Sequence, residues 1–129
     1  MNIIDHGRLL FVVAQDDFKA VQNMLDTAYF SDRIFGFHIQ QAAEKALKAW
    51  LASLQIEFPF SHNLGILLDR LEESGQDVNA YWEFVDMNAY AVAFRYQPCF
   101  VTEEPLNREY LIQLVGKLLA EVEARFGLL

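Results

Sequence analysis

At 129 residues the chain has room for one domain, spanning 1–129, built around one hydrophobic core. With 53% hydrophobic and 22% charged residues it can offset its ordering entropy, which excludes an intrinsically disordered segment. A formal net charge of −8 repels polyanions, which argues against nonspecific wrapping of DNA or RNA and leaves only a local basic site for such ligands.

Along the chain the apolar positions follow a helical period, and no alternating strand pattern competes. In the first stretch Phe11, Ala14, Phe18, Val21 and Leu25 recur at steps of three and four, predicting a helix from about Gly7 to Thr27. Ser31 and Asp32 offer N-capping side chains for a second helix, about Asp32 to Gln55. There Phe35, Ile39, Ala43, Ala46, Leu47 and Trp50 share one sector suited to burial, and the alanines let a neighbouring helix approach closely. His38, Gln41, Lys45 and Lys48 form a separate polar stripe, and Glu44 and Lys48 stand at the spacing of a helix ion pair. The run Glu57-Phe58-Pro59-Phe60 breaks that helix. Ser61 or Asn63 then caps a short third helix carrying Leu64, Leu67, Leu68 and Leu71, which Ser74 and Gly75 end. Asp77 can cap a fourth helix with Tyr81, Val85, Ala89, Val92 and Tyr96 on one face, terminated before Pro98. Thr102 to Pro105 reads as the start of the last helix, with Pro105 in its first turn and Leu111, Leu114, Val115, Leu118 and Val122 on its apolar face. Four substantial helices and one short one predict an all-α, antiparallel up-and-down bundle.

Cys99 is the one cysteine, so no intrachain disulfide forms, and a reducing cytoplasm suits the chain. The apolar stretch from Leu9 to Ala14 is too short to cross a bilayer, and no basic region precedes a long apolar run, so neither export nor membrane insertion is expected. Three scattered histidines without an i, i+4 pair predict no metal site, and no cofactor is expected. Eleven Phe, five Tyr and two Trp are generous for this length and predict that some rings serve a homodimer contact.

The segment Phe37-His38-Ile39-Gln40-Gln41-Ala42-Ala43-Glu44-Lys45-Ala46-Leu47-Lys48-Ala49 resembles the signature second helix of HEPN domains (higher eukaryotes and prokaryotes nucleotide-binding), where Phe-His, Gln-Gln-Ala, Glu-Lys and Leu-Lys-Ala recur in this order. Phe60-Ser61-His62-Asn63-Leu64, followed by Leu67-Leu68, resembles the family's loop and third helix. Tyr90 with Phe94-Arg95-Tyr96-Gln97-Pro98 resembles the Arg-Tyr-Pro ending of its fourth helix, with Gln97 inserted. The similarity runs over roughly residues 7 to 125 and implies the HEPN helical bundle.

That resemblance admits several activities, because a shared fold does not select among them. The family's ribonucleases carry an Arg followed after four to six residues by a His, the Arg holding the scissile phosphate and the His exchanging protons. Arg95 matches the first position and is the candidate catalytic residue, but Phe100, Val101 and Thr102 fill the window after it, and no His follows His62. Arg95 also reads as a helix-terminal cation, Tyr96 as a buried ring, Cys99 as a small buried hydrophobe and His62 as a local cap or a hydrogen bond that fixes the loop after Pro59. From spacing alone the stripe reads as a solvated face, with His38 hydrogen-bonded against a neighbour. The resemblance instead implies a phosphate or nucleotide site from His38, Gln41, Glu44, Lys45, Lys48, Arg95 and Tyr96, in which Glu44 orients a lysine.

Three functions follow. The first is a nucleotide- or RNA-phosphate-binding component of a toxin–antitoxin-like two-gene module, partnered by a separately encoded minimal nucleotidyltransferase. The second is a metal-independent endoribonuclease toxin using Arg95 with a replacement base such as His38 or Tyr96. The third is a dimeric interaction scaffold without chemistry.

Overall fold

The computed structural model describes residues 1–96 and 104–127, and the side chains of all of these except 93–96. The described residues form helices and no strands: α1 (Ile3–Gln22), α2 (Asp32–Ser53), α3 (Leu64–Glu73), a 3-10 helix (Asn79–Met87), α4 (Asn88–Tyr96) and α5 (Arg108–Arg125). Central to the bundle is α2, which packs against α1, α3, the 3-10 helix, α4 and α5. Its predicted apolar sector, Phe35, Ile39, Ala43, Ala46, Leu47 and Trp50, is fully buried, as are Ala42, Ala49 and Ala52. The short side chains allow the close contact with α1 that the sequence predicted. Phe11, Ala14 and Val21 of α1 join this core, whereas Leu25 lies beyond the helix end and is exposed, its place taken by Met24.

Local chemistry sets the helix ends. Asn2 caps α1 by accepting the Asp5 amide at 2.8 Å, so this helix starts before the expected Gly7. Ser31 caps α2 through the Ile34 amide, and Asn63 caps α3 through the Gly65 amide at 2.9 Å. At the far end α2 stops two residues earlier than expected, ahead of the Pro59 segment, because the chain turns back on itself. The Gln55 amide donates to the Ala52 carbonyl and the Ile56 amide to that of Leu51, a Schellman motif with Gln55 at φ 59°. The same motif ends α3, where the Gly75 and Gln76 amides donate to Glu72 and Leu71 and the left-handed position holds a glycine at φ 89°.

The fourth segment departs from its expected register. Residues Asn79–Met87 wind at three residues per turn, so the buried side chains are Val78, Tyr81, Phe84, Met87 and Tyr90, each three residues from the last. An α-helical period had placed Val85, Ala89 and Val92 inward with Tyr81. Val85 is only half-buried, Ala89 is exposed and Val92 is 61% exposed. Asp77 does not cap an α-helix but accepts the Asn79 amide in a short turn. From Asn88 the chain is α-helical, and it crosses α2 where Gly36 leaves room for Tyr90. A Cβ on Gly36 would stand 2.6 Å from the Tyr90 ring.

The last helix starts later than expected. Its cap is Asn107, which accepts the Tyr110 amide at 3.1 Å, and Pro105 precedes the helix instead of occupying its first turn. The reason lies in Arg108, a buried cation at the first helical position. Its Nη1 donates to the Met24 carbonyl at 2.7 Å, and its Nη2 donates to the Phe30 carbonyl at 2.6 Å and to Asp32 Oδ1 at 2.9 Å. Asp32 Oδ2 accepts the Leu106 amide, so the carboxylate expected as a cap ties the α1–α2 connection to the entry of α5. The predicted stops and starts at Pro98 and Thr102 lie outside the described residues. No described helix is long and apolar enough to cross a membrane.

Candidate functional site

Of the α2 positions in the signature segment, the polar ones at i, i+4 and i+8 matter most. Gln40, Glu44 and Lys48 form a ladder up one side of the helix, and the chain returns over it at the loop before α3. Gln40 is wholly buried and Glu44 nearly so. Gln40 Nε2 donates to Glu44 Oε1 at 3.0 Å and to the His62 carbonyl at 2.9 Å. Lys48 Nζ donates to Glu44 Oε2 at 3.1 Å. His62 Nδ1 stands 3.0 and 3.2 Å from the two Glu44 oxygens. Since a carboxylate only accepts, Nδ1 carries the proton in this contact and Nε2 is left for the surface, where the His62 side chain is 57% exposed.

One buried carboxylate therefore gathers three donors from two elements. Burial pushes the Glu44 carboxyl up, but the hydrogen bonds from Gln40, Lys48 and His62 and the charge of Lys48 outweigh it, holding the group below the usual carboxylate range. Ionised Glu44 thus fixes two cationic or cation-forming side chains at one edge of the molecule. Lys48 Nζ also lies 5.7 Å from the centre of the Phe58 ring. Beyond it Phe60 is fully exposed, and His6 meets Phe58 edge to face at 5.6 Å between centroids.

The remaining stripe residues extend this network. Gln41 Nε2 donates to Gln40 Oε1 at 2.6 Å, and Lys45 Nζ donates to Gln41 Oε1, so a continuous chain runs from Lys45 through both glutamines to Glu44 and His62. His38 turns elsewhere: its Nδ1 meets Asp17 Oδ1 of α1 at 3.2 Å. The stripe is therefore half-buried and internally bonded, and the reading of it as a plain solvated face is corrected on that ground. Glu44 and Lys48, set at the spacing of a helix ion pair, are paired at 3.1 Å.

Of the two roles expected for His62, the cap falls to Asn63, and the imidazole makes the hydrogen bond to Glu44 that ties the loop after Pro59 to α2. Arg95 and Tyr96 fall in the last turn of α4, and their side chains, like all of Cys99, lie outside the described residues. Sequence reasoning missed Gln40 and Asp17. The signal for Gln40 was present in its i, i+4 spacing to Glu44, but nothing local showed that His62 would cover it. No group of three or more His, Cys, Asp or Glu able to hold a metal occurs among the described residues.

No curated protein and no solved structure matches the chain. The family model of the HEPN domain matches residues 8–125, nearly the whole chain, and so includes the Gln40, Glu44, Lys48 and His62 cluster. The chain belongs to the HEPN family.

Proposed function

We propose that this HEPN domain is the nucleotide- or RNA-phosphate-binding component of a two-gene, toxin–antitoxin-like module, working beside a separately encoded minimal nucleotidyltransferase. The observation that carries the reading is the Glu44 clamp. A buried carboxylate presents the His62 imidazole and the Lys48 ammonium together at one edge of a chain whose net charge is −8. A phosphate there would accept hydrogen bonds from Nε2 of protonated His62 and from Nζ of Lys48, the charge-assisted kind that are about twice as strong as neutral ones. Because Glu44 pre-positions both donors, binding loses little side-chain entropy at that moment. The adjoining Phe60 ring, exposed to solvent, offers a face on which a base could stack.

Calorimetry of the intact protein with nucleoside mono- and triphosphates and short RNAs tests this. Lys48→Ala and His62→Ala should each weaken binding about tenfold, the equivalent of about 1.4 kcal/mol. Arg33→Ala, on a different part of α2, is the control for loss of overall positive charge. Absence of binding by any of these ligands at millimolar concentration would end the proposal. Cleavage of RNA by the pure protein, abolished by Arg95→Ala, would instead place it with the family's ribonucleases. An adjacent gene encoding a minimal nucleotidyltransferase is the expected genomic setting, and co-purification of the two products checks the partnership.

A further inference from the structure

The tight winding of Asn79–Met87 orders its outer face as well as its buried one. In a 3-10 helix side chains three residues apart eclipse one another, so Ala80, Glu83 and Asp86 stand in one exposed column. At a rise of about 2.0 Å per residue the Glu83 and Asp86 positions lie about 6 Å apart, one above the other. An α-helix would have turned them about 60° away from each other. Two like charges in register repel, and among the described residues no ion pair neutralises either of them.

This column is one wall of a cavity of about 580 Å³, within the range of small-molecule sites. The start of α5 forms the other wall with Leu106, Tyr110 and Leu111. The charged side chains that line it are all acids, Glu83, Asp86 and Glu104. Lys117 stands outside it, over the Tyr81 ring at 5.9 Å. Tyr110 reaches across from α5 and donates its hydroxyl to Glu83 Oε1, which fixes that carboxylate and leaves Oε2 for a ligand. The floor is Tyr90, which is 2% exposed and whose buried hydroxyl has no hydrogen-bond partner. Such an orphan costs free energy and asks for a reason. Burial, and after it the charge of Asp32, hold this phenol above its ordinary value, so it keeps its proton. Asp32 also accepts the Leu106 amide at 3.2 Å, so the hydroxyl end of the ring lies towards the Leu106 wall of the cavity.

These features select a ligand. A single metal ion fits poorly, because no group of three or more His, Cys, Asp or Glu among the described residues converges to hold one. Two stacked carboxylates about 6 Å apart, facing apolar side chains, call instead for two positive charges joined by a short hydrocarbon. We propose that this cavity binds an aliphatic polyamine, with one ammonium on Glu83, the next on Asp86 and within reach of the Tyr90 hydroxyl, and the methylenes along Leu106 and Leu111. The ammonium supplies the donor that the Tyr90 oxygen lacks, and the ring of Tyr110 adds a face for a cation. None of these residues belongs to the Glu44 clamp, so the proposal stands whether or not the domain binds phosphate.

Calorimetry of the full chain with butane-1,4-diamine and with butylamine tests this at low ionic strength, since salt screens exposed charges. The diamine should bind at least about fivefold more tightly than the monoamine, the worth of one exposed ion pair. Glu83→Gln and Asp86→Asn should each lower diamine affinity by about the same factor. Glu73→Gln, exposed at the end of α3, should leave it unchanged and so controls for net charge. Tyr90→Phe should weaken diamine binding and, by removing the unpaired hydroxyl, raise the thermal midpoint of the free protein. Melts by circular dichroism should show both carboxylate variants folded, because both positions are exposed. No heat of binding at millimolar diamine overturns the proposal. So does butylamine binding as tightly as the diamine, Glu73→Gln weakening binding as much as Asp86→Asn, or displacement of the diamine by an equal concentration of magnesium ion. A Tyr90→Phe variant that binds the diamine as the wild type does removes Tyr90 from the site.

Discussion

Replacing Glu44 by Gln keeps the shape of the side chain and removes its charge. In the native protein the carboxylate is almost wholly buried and accepts from Gln40, Lys48 and His62. Glutamine at this position can accept through one oxygen only, and its amide nitrogen would face donors. Hydrogen bonds to a charged group contribute about 1.5 to 3 kcal/mol each when buried, and removing one partner of a fully buried pair costs about 3 to 5 kcal/mol. Lys48 is 13% exposed and His62 57%, so water can take over part of what both lose, and the expected cost is nearer ~2 kcal/mol.

Urea titration followed by tryptophan fluorescence should therefore move the midpoint down by about 1 M for a domain of this size. The deficit depends on pH in a fixed direction. The native carboxyl is held below its ordinary value, so its contribution is complete above the unfolded value of about 4.3 and is lost as pH falls through the lower native one. The gap between wild type and Glu44→Gln should be full at pH 7 and shrink as pH falls through the lowered native value. Equal stability at pH 7, or a gap that persists unchanged in acid, would refute the view of Glu44 as an ionised buried acceptor.

Substitutions at three further positions test the packing. Gly36→Ala forces a methyl into the Tyr90 ring where α4 crosses α2, and should cost about 1 to 3 kcal/mol in the same urea assay. Gln55→Gly relieves the left-handed backbone of the α2 terminus, and should raise stability by up to about 1 kcal/mol, which a higher melting temperature would report. Arg108→Ala leaves the Met24 and Phe30 carbonyls and Asp32 without their guanidinium, and should cost about 3 to 5 kcal/mol. Arg108→Lys should recover less than half of that loss, because a single ammonium cannot reproduce the forked contacts.

Much of the architecture was legible in the residues alone. The burial of Phe35, Ile39, Ala43, Ala46, Leu47 and Trp50, the cap at Ser31, the pair Ser61 and Asn63 from which the structure takes Asn63 as the cap of α3, and the HEPN signature along α2 all depend on spacing within a few turns, which a helical period translates directly into position. The Glu44–Lys48 pair belongs to the same class, since four residues make about one turn. The register of the fourth segment was different. Its apolar residues suit either a period of 3.6 or one of 3.0, and only packing beside α2 and α3 selected the tighter winding that buries Phe84 and Met87.

Tertiary structure alone decided what the polar residues do. Asp32 stands beside a helix start and reads as a cap, yet a guanidinium from 76 positions along the chain claims it. Spacing left Gln40 without a role and gave Glu44 only a lysine one turn away, yet the loop carrying His62 returns over both and removes their water. Helical spacing fixes which groups lie on one side of a helix. Whether that side faces solvent depends on where the rest of the chain comes to rest, and desolvation is what turns a polar stripe into a clamp.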